Sequence, residues 1–259
     1  AHTPIEFKKM VSECNDLKEN EGIETQIIDK SDQKNEINSD LYHGGVVFPQ
    51  HASLNAAKYH KDLIEKAIGL GVSVISNCEM VDFKKKLDEF SVLTNKGPLT
   101  ANNLVVATNG YTSNVTPWLN KKNIPIGSYV IATEELPINY ISSLFPTNRH
   151  ITDTCRVVYY FRPSPDRKRI IFGGRVSSRE IGLSKSAPLL LKDLKRVFPN
   201  LPELKISHSW MGYVSYTFDH LPHTGSEDGL YYSMGYCGSG IALSSYLGMK
   251  LGKKVIGDK

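Results

Sequence analysis

The stretch Tyr231-Tyr232-Ser233-Met234-Gly235-Tyr236-Cys237-Gly238-Ser239-Gly240 constrains the fold more than any other. An apolar strand, a turn with three glycines in six positions and an amphipathic helix follow one another without a break. The helix is expected from about Ile241 to Val255, with Leu243, Leu247, Leu251 and Val255 spaced by four on one buried stripe. Gly248 and Gly252 lie on an adjacent face, where a neighbour can approach closely. A strand that enters a glycine-rich turn at a helix start has three chemical uses. A dinucleotide turn would seat a pyrophosphate on the helix amides, but Leu243 stands where a third glycine or alanine belongs, and the 16 residues after it leave no room for a further helix and strand. A nucleophile elbow would present Cys237, yet no histidine follows His223 and the usual chain order fails. The remaining use is a helix start that faces the polar edge of a bound cofactor ring. A glycine-rich cap that simply packs stays open beside it.

The rest of the chain restricts the class. With 259 residues, 40% hydrophobic and 22% charged, it is an ordinary globular sequence, which excludes disorder, collagen and coiled coil. No apolar run is long enough to span a membrane, and the opening AHTPIEFKKM has no signal-like hydrophobic core, so a soluble, cytoplasmic protein is expected. Cys14, Cys78, Cys155 and Cys237 lie far apart and read as free thiols. Residues 1–40 hold five lysines against ten acidic residues, so a lead of net −5 precedes a body of +9. That body has no arginine-rich run or strand with interleaved aromatics, and nucleic-acid binding is not expected. Asp219, His220 and His223 are close in sequence, but Pro222 prevents a regular helix and no metal site is expected.

A helix is predicted over 4–20, with Thr3 as N-cap, Pro4 at the first helical position and Glu6 in the capping-box place. A second, capped by Ser53 or Asn55, ends at Gly71. Strands are read at 23–28, 72–76, 80–85 and 90–94, and at Leu104–Thr108, the last as a fully buried strand that stops at Asn109-Gly110. From Ile124 to Val176 the pattern becomes β alternation, with strands at 127–133, 154–162 and 169–172 and a turn at Ser164-Pro165-Asp166 between the last two. A helix at 189–198 and strands at 206–213 and 230–234 complete the reading. The fold class is α+β (mixed α/β) with a largely antiparallel middle.

Taken together, these segments resemble the FAD-dependent D-amino-acid oxidase family, most closely its branch of gamma-glutamylputrescine oxidoreductase-like enzymes. Leu54 to Tyr59, Gly71-Val72 and Met80 resemble the family's helix and strand beside the adenosine half of FAD. Leu104 to Thr112 resembles the strand ending near the adenine and pyrophosphate. Residues 125–134, Tyr160-Phe161-Arg162 and Ile171 to Arg175 resemble the substrate-domain sheet, and Trp210 to Gly225 with Gly235 to Gly240 the closure around the flavin ring. The resemblance implies a remnant of a Rossmann-like FAD-binding domain at 41–112 and 213–259, with an antiparallel-sheet substrate domain at 1–40 and 113–212. Implied cofactor residues are Met80, Ala107, Thr108, Asn109, Gly110, Gly212, Gly235, Gly238, Ser239 and Gly240. Implied substrate residues are Tyr160, Arg162, Arg175 and Tyr213.

The resemblance implies FAD-dependent oxidation of an amine or amino acid C–N bond by hydride transfer to flavin N5, with a small-molecule substrate. A module that keeps the fold without catalysis is the alternative. The family's opening unit with GxGxxG does not occur after Ala1, so the chain is expected to be a fragment of a longer flavoprotein or a short protein without that unit, binding FAD poorly alone. Amino-acid-specific relatives place an arginine in the segment matching Tyr213-Val214-Ser215-Tyr216. Its absence here points to an amine, or to a substrate carboxylate held elsewhere, on Arg162 or Arg175.

Overall fold

The computed structural model describes residues 1–176 and 179–257. The chain divides into two compact units, one of Ala1–Asn55 with Ser128–Gly212 and a second of Ala56–Gly127 with Tyr213–Lys259. The first begins with α1 (Pro4–Glu21), β1 (Gln26–Ile28) and β2 (Gly45–Val47). The second begins with α2 (Ala56–Gly69), β3 (Met80–Lys86), β4 (Glu89–Thr94), β5 (Gly97–Ala101), β6 (Leu104–Val106) and α3 (Pro117–Asn120). There follow β7 (Ile124–Thr133), α4 (Ile138–Leu144), β8 (Ile151–Thr152), β9 (Tyr159–Pro163), β10 (Ile170–Gly174), α5 (Leu183–Val197) and β11 (Ile206–Tyr216). The second unit closes with β12 (His223–Glu227), β13 (Leu230–Met234) and α6 (Gly240–Val255).

These limits depart from the sequence expectation in two places. Residues 41–55 fall with the first unit, because β2 pairs antiparallel with β1 from Gln26↔Val47 to Ile28↔Gly45. Residues 113–127 fall with the second, because Trp118 and Leu119 of α3 pack on Phe90, Val92 and Val106.

The first unit is organised by a five-stranded sheet in the order β11-β7-β10-β9-β8. The pleat makes one face apolar: Tyr129 and Ile131, Tyr159 and Phe161, Ile170 and Phe172 are all buried on it. Against that face sit Ile141, Leu144 and Phe145, with Leu190, Leu194 and Val197 of α5. Phe145 meets Phe161 and Phe198 edge-on at 6.1 and 5.3 Å, a geometry that adds to simple burial. α5 starts at Leu183, six residues earlier than expected. Pro188 lies in its second turn and removes one backbone bond, yet Ser186, Ala187 and Leu190 are buried and hold the helix.

Local chemistry sets the edges of this unit. Thr3 Oγ1 accepts from Glu6 N at 3.1 Å and caps α1. At the β9–β10 turn, Ser164 Oγ donates to Asp166 Oδ1 and accepts from Arg169 N, which fixes the hairpin. Buried Asp153 accepts from Cys155 N, Tyr159 N and the Tyr42 hydroxyl at 3.1, 2.9 and 3.2 Å. Burial and this carboxylate push the Cys155 thiol up to about 11. Gly44, at φ +101°, passes so close to Ile28 and the Phe7 ring that a Cβ would lie 2.7 Å from each.

The second unit holds two small sheets. β3-β4-β5 is an antiparallel meander; in β12-β13-β6, β13 runs antiparallel to β12 and parallel to β6, with Tyr232 opposite Val106. Phe90, Val92, Val106, Leu119, Leu230 and Met234 form its core. Residues 72–76 form no strand; Val72, Val74 and Ile75 are more than half exposed, with no strand paired to them among the described residues. β6 ends at Val106, and Val105 is 46% exposed, so this strand is not fully buried. In the stripe expected along α6, Leu251 alone is buried, and no atom approaches within 4 Å of a Cβ placed at Gly248 or Gly252, so neither serves close packing.

Because Phe172 is fully buried at the centre of the first unit's core, Phe172→Ala is expected to cost about 3–5 kcal/mol. Urea unfolding followed by circular dichroism measures this, and a loss below ~1 kcal/mol would contradict a continuous core.

Candidate cofactor groove

The end of β6 and the end of β13 lie side by side because the two strands are parallel, so the chain leaves both at the same edge of the sheet. Ligands of open sheets with parallel strands collect at such carboxyl ends. Here the exits are tied together. Asn109, at φ +45°, accepts the Gly235 amide on its Oδ1 at 3.0 Å, and its carbonyl accepts from Thr112 Oγ1 and Asn123 Nδ2 at 2.7 and 3.2 Å. Ser215 Oγ donates to Asn123 Oδ1 at 2.5 Å, and the Ser215 carbonyl accepts from Cys237 N at 3.0 Å. Asparagine suits the left-handed position, and its side chain satisfies a backbone amide of the neighbouring turn.

A groove of about 850 Å³ opens beside this node, within the second unit. Ala107 and Asn109 line it from the β6 exit, Cys237, Gly238 and Gly240 from the turn, and Tyr213 from the end of β11. Its walls are Tyr59, His60 and Leu63 of α2 and Ser244, Ser245 and Gly248 of α6. The Tyr59 hydroxyl and Ser245 Oγ meet at 2.6 Å. Gly238 has φ +97°, with no atom near the place of a Cβ, so the backbone itself faces the groove there. The first intrahelical bond of α6 runs from Leu243 N to Ser239 O, and Ser239 offers no side-chain cap. The amides of Gly240, Ile241 and Ala242 therefore precede it without a helical acceptor, at the positive end of a 16-residue helix.

The structure distributes the residues singled out in the sequence. Ala107, Asn109, Gly238, Gly240 and Tyr213 share the groove. Thr108, Gly110, Gly235 and Ser239 stand behind it as supports: Thr108 Oγ1 meets Thr112 Oγ1 at 2.8 Å, and Gly110 lies under Tyr213, where a Cβ would come within 2.7 Å. Met80 packs on the second unit's core and not on the groove. Gly212, Tyr160, Arg162 and Arg175 belong to the first unit. Of the walls, the resemblance points to α2 only as far as Tyr59; His60, Leu63, Ser244, Ser245 and Gly248 were not singled out. Their signal in the sequence is weak, a run of small residues on one side of α6.

Near the turn, His223 Nε2 sits 3.1 Å from both carboxylate oxygens of Asp219. Hydrogen bonds from His223, then from Leu221 N, hold the Asp219 carboxyl down at about 2. Bonds to the charged form lower a carboxyl pKa, so this support is complete above the ordinary value of 3.8 and is lost as pH falls through about 2. In His223→Ala the Asp219 midpoint should rise toward 3.8, measured by carboxyl carbon NMR; an unchanged midpoint would remove the histidine as its cause. Asn109→Leu leaves the Gly235 amide without its acceptor and should cost about 1–3 kcal/mol in chemical denaturation, whereas Asn109→Asp keeps the acceptor and should cost less.

Residues 1–253 match the model of a family described as DAO, FAD dependent oxidoreductase. The chain is 29% identical over 238 residues to the probable oxidoreductase OrdL of Haemophilus influenzae, covering 90% of this chain and 54% of that protein. It is 29% identical over 240 residues to the gamma-glutamylputrescine oxidoreductase of Escherichia coli, covering 90% of this chain and 55% of that one. The chain thus spans about half the length of the curated relatives it matches. Among solved structures, glycine oxidase from Geobacillus kaustophilus superposes with a TM-score of 0.83 at 17% identity, over 99% of this chain and 69% of its own. L-proline dehydrogenase from P. horikoshii does so with 0.79 at 17% identity, over 100% and 71%. At these identities the superpositions establish the fold, and the family match across nearly all residues establishes the lineage: the chain belongs to the DAO family of FAD-dependent oxidoreductases.

Proposed function

We propose that the protein of which this chain is all or part oxidises the C–N bond of an amine, with FAD at the groove of the second unit. The observation that carries this reading is the groove itself: in a chain of a FAD-dependent family, the exits of two parallel strands and the uncapped start of α6 converge on it. Bound flavin supplies a two-electron acceptor, taking a hydride from the carbon that bears the nitrogen.

The residues present fit such a group. Gly238 and Gly240 would hold it by backbone approach, because no Cβ intervenes and no atom fills that space at Gly238. The amides of Gly240, Ile241 and Ala242 add a positive potential that favours negative charge on whatever lies against them. Ala107 and Asn109 would line the same ligand from the β6 exit, with Asn109 held in place by Gly235 and Asn123. Tyr213, over Gly110 and edge-on to Tyr111 at 5.2 Å, offers a wall that excludes water. A neutral amine needs no strong base when it loses a hydride. Its placement is the main contribution asked of the protein.

The second unit contains no arginine, so its groove has no guanidinium to pair with the carboxylate of a simple amino acid. This supports an amine substrate, in keeping with the printed name of the E. coli relative. Turnover by FAD-loaded protein, read as substrate-dependent dye reduction or peroxide release, is expected with γ-glutamylputrescine at higher kcat/KM than with glycine, sarcosine or D-alanine. A preference for the small amino acids would overturn the substrate class. Bound flavin with no turnover of any amine would overturn the reaction.

A further inference from the structure

Asn123 stands just before β7, is 8% exposed and does not line the groove, yet both ends of its carboxamide are engaged by residues that do. Its Nδ2 donates to the Asn109 carbonyl at 3.2 Å, and its Oδ1 accepts from Ser215 Oγ at 2.5 Å. From Asn109 the path continues through Oδ1 to the Gly235 amide, and from Ser215 through its carbonyl to the Cys237 amide. Gly235 and Cys237 are next neighbours but one in the turn, so these hydrogen bonds close into a circuit. All of its members lie in the second unit.

The circuit has one polarity. Backbone carbonyls only accept and backbone amides only donate, so the side chain at position 123 must give a proton toward Asn109 and take one from Ser215. A primary amide does both from one plane. Leucine, of similar size, does neither: Asn109 O would keep Thr112 Oγ1 alone, and Ser215 Oγ, at 0% exposure, would lose its acceptor. An aspartate at position 123 takes the serine proton but turns a second acceptor on the Asn109 carbonyl. Its neutral acid form, with one O–H and one C=O, satisfies the circuit as the amide does. Burial favours that neutral form and raises the pKa of such a carboxyl.

We propose that Asn123 is a positioning residue for the cofactor. It holds Asn109 on one side and Ser215, with Cys237 beyond it, on the other, and so sets how the backbone from Gly238 to Gly240 meets FAD. The role rests on the placement of FAD in the groove proposed above; the circuit itself does not. A satisfied network of buried polar groups gives rigidity that its separate bonds do not, and a rigid rim binds with less ordering to be done.

The test follows FAD binding by flavin fluorescence and the circuit by amide hydrogen exchange. Asn123→Leu should raise the Kd for FAD at least roughly tenfold at every pH. Asn123→Asp should bind as the unaltered protein does near about pH 5 and approach the leucine variant toward about pH 9, the ratio of the two Kd values following a single proton. Asn103→Asp, which puts the same charge on an exposed turn, should track the unaltered protein throughout. At saturating FAD the absorbance band of the flavin should shift with that proton in Asn123→Asp, a change that lost stability alone does not produce. Without flavin, protection of the Gly235 and Cys237 amides should fall in the leucine variant, and in the aspartate variant only at the higher pH, with the first unit's core amides unchanged. Equal FAD affinity in the unaltered protein and both Asn123 variants overturns the positioning role and leaves the groove reading standing. Unaltered protein that takes up no FAD, while its variants show the expected protection changes, overturns the groove reading and the role that rests on it. A Kd ratio for Asn123→Asp that does not vary with pH overturns the polarity assigned to the circuit.

Discussion

The second unit depends on one hydrogen bond more than on any other, the one from the Gly235 amide to Asn109 Oδ1. β6 is three residues long and, among the described residues, pairs with β13 alone, so its exit has little sheet to hold it. The asparagine side chain takes over the work of a ladder that has stopped. It also leaves its own carbonyl free for Thr112 and Asn123, and through Asn123 for Ser215. One residue thereby ties together two strand exits and the end of β11, and Ala107, Cys237, Gly238 and Tyr213 line the groove from those three places.

Local chemistry was legible in the sequence wherever a side chain acts within a few residues of itself. Thr3 and Pro4 define the start of α1, Ser164 and Asp166 define the β9–β10 turn, and both appear as read. Long alternating runs such as residues 124–133 also declare themselves, because one face must be buried. Segments whose state depends on a distant partner were harder to read. Val72 to Ser76 has strand-like residues and, among the described residues, no strand paired to it, while His223–Glu227, polar and poor in strand formers, is a strand because β13 supplies five opposing residues. The early start of α5 has the same origin, since the buried Ala187 and Leu190 outweigh Pro188.

The site divides along the same line. Ala107, Asn109, Gly238 and Gly240 stand at strand ends and a turn, where sequence punctuation marks them. Tyr59, His60, Ser244 and Ser245 face the groove through the packing of two helices far apart in sequence, and no spacing rule joins α2 to α6. Arg162 was visible as a cation on a strand. The structure places it on β9 of the first unit, away from the groove residues read beside it in the sequence.

The turn after β13 bends through left-handed geometry three times in four residues: Gly235 at φ +76°, Cys237 at +50° and Gly238 at +97°. The middle one has a side chain and bears the steric cost that its neighbours avoid. Its Sγ lies 3.2 Å from the Gly235 carbonyl and 3.6 Å from Thr217 Oγ1, weak contacts that return little of that cost. For protein chemistry this dictates how a thiol-free version is made. Serine, the customary replacement, inherits the conformational burden, whereas asparagine or glycine relieves it, so the substitution chosen for labelling at Cys14, Cys78 or Cys155 also sets the rigidity of the groove's rim.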